Sequence, residues 1–374
     1  MHLQTKQADR AEESIRNLDM EIDDLISDNL AHDNEEDRDP QRSPARPRWL
    51  VPFLLLVATL VSMSWAGIAA WSPMDLLGNA YERGSLFEVR RHILANWYPG
   101  LLFAVSLTII LGAHELGHYF ATRIYRIQSS LPIFIPFPIS PTGTCGAVIL
   151  MDGMRADRRQ IFDIGLAGPL AGLVFAIPIA AIGLMYGEPP QTRGRSIQFG
   201  QPIAIQALAH VLPIRVASTH QQTGIDGQSK ENWWVKENEK PTAHFEVMQS
   251  NSISNEAMNP MLMAAWVGFL VTGLNMVPIS QLDGGHVIFG LLGRRSRPVC
   301  WFAYLGCVSY VTYTSIRFGQ PEYILMLLLI PLMGISHPPS RDDNVELGLP
   351  RQIIGVASLV IPFLCIPMRP IIIL

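Results

Sequence analysis

His114, Glu115 and His118 lie in the stretch TIILGAHELGHYFAT, residues 108–122, and their types and spacing point to metal-assisted hydrolysis. Two histidines four residues apart share one face of a helix, where both imidazoles reach a single divalent cation, and Glu115 stands beside them as a candidate base. The setting sharpens this reading, because the rest of the stretch is apolar enough for lipid. An ionisable side chain at bilayer depth costs about 2.5–3.5 kcal/mol even on the lenient insertion scale, so three in one helix require a compensating partner such as a bound cation.

A second polar cluster, LNMVPISQLDGGHV, carries Asn275, Asp283 and His286 and is interrupted by Pro278, Gly284 and Gly285. Those interruptions describe a broken helix lining a cavity. A catalytic zinc site keeps three protein ligands and one open position, and Asp283 is the natural third ligand after His114 and His118. Depth agrees: His114 is about 13 Å before Arg123, and Asp283 roughly 16 Å before Arg294, if both segments are helical. Glu115 would take a proton from water and pass it to the leaving amine. Asn275 could donate a hydrogen bond to the tetrahedral oxyanion, or else only satisfy backbone freed by Pro278. His286, one turn after Asp283, is better placed to support a ligand than to be one.

These residues need a membrane-embedded scaffold, and the composition provides for one. The chain has 374 residues, 49% hydrophobic and only 16% charged, which marks an all-α polytopic membrane protein. Its net charge of -4, with the acidic residues concentrated near the start, offers no basic field for nucleic acid. Cys145, Cys300, Cys307 and Cys365 lack metal spacing and read as small hydrophobes without disulfides.

Residues 1–48 contain no apolar stretch and read as a disordered acidic tail, with no secretory signal peptide. Arg42, Arg46 and Arg48 precede a first anchor over residues 49–71, so the N-terminus is expected in the cytoplasm of a multi-pass protein of the cell (inner) membrane. Residues 72–98 read as an outer connection, and residues 99–186 as the first half of a catalytic core. Within it, the helix bearing His114 ends at about Thr122. The proline-studded segment 131–151 forms a short re-entrant, β-like loop, and a third span at 161–186 presents Gly165, Gly168 and Gly172 for close packing. The loop's edge could receive an unwound substrate as an added strand, which makes Gly143, Thr144 and Gly146 candidate substrate contacts; a plain structural loop is the alternative.

Residues 187–259 form an outer loop with an amphipathic piece at 203–214, and His210, His220 and His244 read as solvated. Residues 260–292 supply the second half of the core. C-terminal helices over 299–374, at about 299–316, 321–336 and 352–368, bring the total to about seven.

HELGH in one span and NMVPISQLDGGH in a later one resemble the site-2 protease family of intramembrane zinc metalloproteases, whose patterns are HExxH and NxxPxxxLDG. The likeness extends to TGTCGA, GLAGPLAG and GISHPPSRDD, covering roughly residues 99–350. It implies Zn2+ on His114, His118 and Asp283, with Glu115 as base and Asn275 assisting. It also implies cleavage of transmembrane segments of other proteins, often ones already trimmed by another protease. The outer loop is too short and polar to resemble the PDZ domain that some members insert there. Two rival readings use the same residues: a catalytically silent membrane scaffold or chaperone, and an intramembrane metal carrier. The presence of Glu115 with all three ligands speaks against the first, and the nearly uncharged outer halves of the two polar spans speak against the second.

Overall fold

A computed structural model describes residues 49–151, 155–185, 197–212, 252–254, 258–279, 281–319, 323–335 and 340–373. The acidic tail 1–48 and most of the outer loop, with His220 and His244, lie outside the described residues.

The first helix, α1 (Leu50–Ile68), turns Thr59, Ser62, Met63 and Ala66 into the bundle while Leu54, Val57 and Val61 face outward. Large apolar side chains outside, with Met63 the one large member of an otherwise small or hydroxylated inner face, is the pattern of a helix solvated by lipid. After α2 (Pro73–Glu82) comes α3 (Phe87–Ile124), which carries the paired histidines. Residues 72–98, expected as an outer connection, are largely helical, and α3 begins at Phe87, ahead of the expected start of the span at Pro99. A proline breaks only its own bond to the preceding turn, and the helix continues past that gap from a charged first part, with Glu88, Arg90 and Arg91, into the apolar part after Pro99. With 38 residues α3 is about 57 Å long, almost twice a hydrocarbon core of about 30 Å.

The proline-rich segment folds as an antiparallel hairpin of β1 (Ile133–Pro136) and β2 (Thr144–Val148). It packs between α1 and α3, and its turn closes at Gly143, where φ is +75° and a Cβ would stand 2.5 Å from Met63 Cα. The Ser62 hydroxyl donates to the Gly143 carbonyl at 2.6 Å, so α1 serves as a backrest for the hairpin.

Helix α4 (Arg158–Met185) lies against α3 and ends near α6 (Pro260–Asn275). Asn259 caps α6 by accepting the Leu262 N–H at 2.8 Å and donates to the Gly183 carbonyl at 2.6 Å. Residues Leu262–Phe269 are all buried, which makes α6 the centre of the bundle. The chain then breaks and resumes as α7 (Asp283–Leu292), followed by a 3-10 turn and α8 (Ser296–Phe318), α9 (Ile324–Met333), α10 (Leu349–Ser358) and α11 (Ile361–Cys365). Leu50–Ile68, Phe87–Ile124, Arg158–Met185 and the run Asp283–Phe318 are long and apolar enough to cross a membrane; Pro260–Asn275 and Leu349–Cys365 are shorter apolar segments. All four cysteines are free.

An all-α description also needs correction beyond the hairpin. Strand β3 (Ile197–Gly200) is the centre of a sheet with β4 (Ser252–Ser254) and β5 (Ile371–Ile373), antiparallel on both sides. These strands come from distant positions and are three or four residues long, so no local periodicity announces them. The amphipathic stretch forms α5 (Ile203–Val211), with Ile205 and Ala209 buried. Trp266 of α6 donates to the Gly200 carbonyl at 2.7 Å and stacks edge-on against Phe199, fastening this sheet to the bundle. His210 is exposed and bonds to the Gln206 carbonyl at 2.8 Å.

Arginines tie the opposite end. Arg158 donates to the carbonyls of Gly290 (2.8 Å) and Leu291 (3.0 Å), two of the acceptors in the last turn of α7. Arg351 of α10 forms a two-pronged pair with Asp163 of α4 at 2.8 and 2.9 Å, and Tyr125 at the end of α3 donates to the same carboxylate. Asp163 is thus a structural clasp for three helices. In the neighbouring loop, the Ser340 hydroxyl (2.6 Å) and Arg294 (2.8 Å) hold the Asp343 carboxyl below the usual carboxylate range. A lowered carboxylate pKa stabilises the fold above the unfolded value and loses that contribution as pH falls through the folded one. The difference in thermal midpoint between wild type and Asp343→Asn is therefore expected to be constant above about pH 4 and to vanish in stronger acid. Arg294 is exposed, so the stabilisation behind that difference should not exceed about 1 kcal/mol.

Candidate metal centre

His114 and His118 face α4 and α7 from one side of α3, as their spacing requires, and Asp283 is the first residue of α7. The Nε2 atom of His114 lies 3.1 Å from Asp283 Oδ2, and Nε2 of His118 lies 3.3 Å from Asp283 Oδ1. One ligand atom from each residue falls within 4.8 Å of the others, and it is the only such trio of His, Cys, Asp or Glu found among the described residues. All three side chains are largely buried, at 3%, 14% and 11% exposure.

The donor set fits a cation. His118 Nδ1 is 2.8 Å from the Ile164 carbonyl, which can only accept, so Nδ1 carries a proton and Nε2 is the nitrogen that a neutral ring would offer to a metal. Nε2 faces an Asp283 oxygen at 3.3 Å, so a positive charge, a proton or a metal ion, belongs between them. The spacing suits zinc, since ligands about 2.0–2.1 Å from a tetrahedral ion lie about 3.3–3.4 Å from one another.

Backbone proximity assembles this set. A Cβ on Gly168 would stand 2.1 Å from His118 Nε2, so α4 can lie under the ligand only with a hydrogen at that position. A Cβ on Gly284 would stand 2.1 Å from the Met276 carbonyl oxygen, and its absence lets the start of α7 fold against the end of α6. Asn275 and Asp283 are therefore neighbours in space as well as in sequence, with Asn275 Nδ2 3.4 Å from His114 Nε2. Glu115 is within electrostatic reach of His114, His118 and Asp283. His286 sits outside the trio, its Cβ pressed against Gly165 of α4. Gly143, Thr144 and Gly146 lie on the hairpin beside α3, where the Thr144 hydroxyl donates to the Ile135 carbonyl at 2.9 Å. Sequence reasoning missed the Ile164 carbonyl, because a backbone group leaves no trace in residue identity. It also missed what Gly168 makes room for.

Two imidazoles and a carboxylate converging inside a bundle of apolar helices define a membrane-embedded metal-site protein. The chain belongs to peptidase family M50, whose model matches residues 102–312, more than half of its length. The resemblance to site-2 proteases carried by HELGH and NMVPISQLDGGH is thereby borne out. Two similar Arabidopsis thaliana proteins are named "Probable zinc metalloprotease EGY1, chloroplastic" and "Probable zinc metalloprotease EGY2, chloroplastic". The first is 24% identical over 85% of this chain and 52% of its own, the second 27% identical over 72% and 42%. "Regulator of sigma E protease" of Haemophilus influenzae is 26% identical over 35% of this chain and 34% of its own. The chain spans about half or less of the length of these relatives. No solved structure matches it.

Proposed function

We propose that this chain is an intramembrane zinc metalloprotease that hydrolyses peptide bonds within or near the transmembrane segments of other membrane proteins. The observation that carries the proposal is the convergence of His114, His118 and Asp283 among apolar helices with Glu115 alongside. Relatives named zinc metalloproteases support zinc as the ion. When bound, the ion would lower the pKa of water toward about 7 and polarise the scissile carbonyl. The chain's own groups do the rest. Glu115 accepts the proton of the attacking water and returns it to the departing amine. The Asn275 amide donates to the oxygen that becomes negative as the carbonyl carbon turns tetrahedral. His118 is kept in its ligating tautomer by Ile164, and the surrounding helices exclude bulk water, which strengthens each of these contacts. The β1–β2 hairpin offers strand edges to an unwound substrate, with Gly143, Thr144 and Gly146 at the approach.

The proposal includes the topology. The broken pairs α6–α7 and α10–α11 and the short α9 each cross with α1, α3, α4 and α8, giving seven crossings. The arginine-tied end and the N-terminus lie in the cytoplasm of a cell (inner) membrane protein. Substrates are single-pass proteins already shortened by another protease. The test uses purified protein in lipid vesicles with a panel of such substrates. Cleavage inside the span should stop with a zinc chelator and return with added zinc, and His118→Ala should bind no zinc and cut nothing. Cleavage that survives chelation would overturn the proposal, as would zinc flux across the vesicle without cleavage.

A further inference from the structure

We infer that the pocket between the end of α7 and residues 340–344 binds the phosphate of an anionic membrane lipid, held by Arg295 and Arg341. The inference rests on the reading that this end of the bundle lies at a membrane surface, and it is independent of the metal and of proteolysis.

The last turn of α7, the 3-10 turn Gly293–Arg295 and residues 340–344 enclose a cavity of about 740 Å³, within the size range of sites for small organic ligands. Backbone bonds fix its frame. The Arg158 N–H donates to the Asp342 carbonyl at 3.2 Å and the Arg341 N–H to the Ala156 carbonyl at 3.0 Å, which ties the loop to the start of α4. Four arginines face two aspartates around the cavity, so its wall carries an excess of positive charge. The charges divide by what already holds them. Arg158 is engaged by the carbonyls of Gly290 and Leu291, and Arg294 by the Asp343 carboxylate. Asp342 accepts the Asn344 N–H at 2.9 Å within its own loop. Arg295 and Arg341 are exposed to the cavity, and among the described residues neither guanidinium has a partner.

A planar guanidinium offers two parallel N–H donors to a phosphate, and here one guanidinium comes from the 3-10 turn and one from the loop. The adjoining apolar surface makes that phosphate a lipid's. Leu292 lines the cavity and is itself exposed, and α8, which starts directly after Arg295, carries exposed Trp301, Phe302 and Leu305. Trp301 stands about 9 Å along the chain's helical path from Arg295, and an indole beside basic side chains is the composition of a membrane interface. A soluble anion makes no use of such a surface. A diacyl lipid lays its chains along it while its phosphate enters the pocket, and basic pockets beside membrane helices recur as headgroup sites.

The test uses the full chain in detergent, mixed with equal amounts of phosphatidylglycerol and phosphatidylcholine, with retained lipid read by native mass spectrometry. Wild type is expected to retain phosphatidylglycerol in preference. Arg295→Gln and Arg341→Gln should each reduce that preference about fivefold, and the double variant roughly 25-fold, the scale set by one basic side chain near an anionic surface. Neither side chain holds another residue, so the double variant should match wild type in circular dichroism. Arg126→Gln removes an exposed arginine of the same end but outside the pocket, and should leave the preference unchanged. Wild-type preference in the double variant would overturn the inference. Equal loss in Arg126→Gln would also overturn it, by assigning the effect to surface charge at large. So would displacement of the lipid by millimolar inorganic phosphate at constant ionic strength, which would make the pocket a site for a soluble anion. A chain that enters vesicles of neither lipid fails the membrane reading itself, whereas equal retention of both lipids fails the pocket alone.

Discussion

Glu115→Gln is expected to retain zinc at wild-type stoichiometry while cleavage falls by about 10²–10⁴, the span that general acid–base catalysis supplies. Glutamine has nearly the same shape as glutamate, so packing around His114 and His118 should persist. The three ligand atoms that cluster within 4.8 Å belong to other residues, so the metal site loses none of them. What is lost is a group able to accept a proton from water and return it to nitrogen. Metal analysis beside a gel-based cleavage assay gives both readouts. Undiminished cleavage would remove Glu115 from the mechanism, and loss of zinc would make it a ligand.

Gly168→Ala should remove the metal without unfolding the protein. Its Cβ would stand 2.1 Å from His118 Nε2 and 2.5 Å from Cδ2 and Cε1 of the same ring, far inside contact distance. The ring cannot swing away without giving up the Ile164 carbonyl that fixes its tautomer. The expected loss of zinc affinity therefore exceeds the about 10–100-fold typical of losing an outer contact to a ligand. Overpacking of this kind costs about 1–3 kcal/mol, which a bundle this well buried should survive. Gly112→Ala is the matched control, two residues from His114, where the added methyl meets only Phe134 at an ordinary 3.7 Å. Circular dichroism and zinc content on both variants decide the matter. Full zinc uptake by Gly168→Ala would mean that α4 does not approach His118 this closely.

The sequence made one part of this centre legible and hid another, for identifiable reasons. The pairing of His114 with His118 follows from helical periodicity alone. Asp283, 165 positions after His118, could be matched to them only through depth, by counting residues back from the arginines that mark one membrane face. That reasoning works because lipid confines charge to the ends of helices. It stops at Pro99, where a helix that continues to Phe87 reads as a boundary. It is silent on the β3–β4–β5 sheet, whose members meet only after the chain has folded. Gly165, Gly168 and Gly172 are visible as a small-residue stripe, yet which of them yields to the ring of His118, and which to His114 or His286, depends on α3 and α7 being in place.

The placement of the two imidazoles along α3 has one more consequence. They stand six and ten residues before Ile124, about 9–15 Å from that end of the helix, to be set against a hydrocarbon layer roughly 30 Å thick. If the chain cuts spanning segments as proposed, a cut at this level would yield unequal fragments. The longer one keeps enough apolar length to stay anchored, whereas the stub on the arginine-tied side is too short to hold there. On the proposed function, the partition of the products, and with it the side on which a freed domain departs, would follow from the register of the ligands along a single helix.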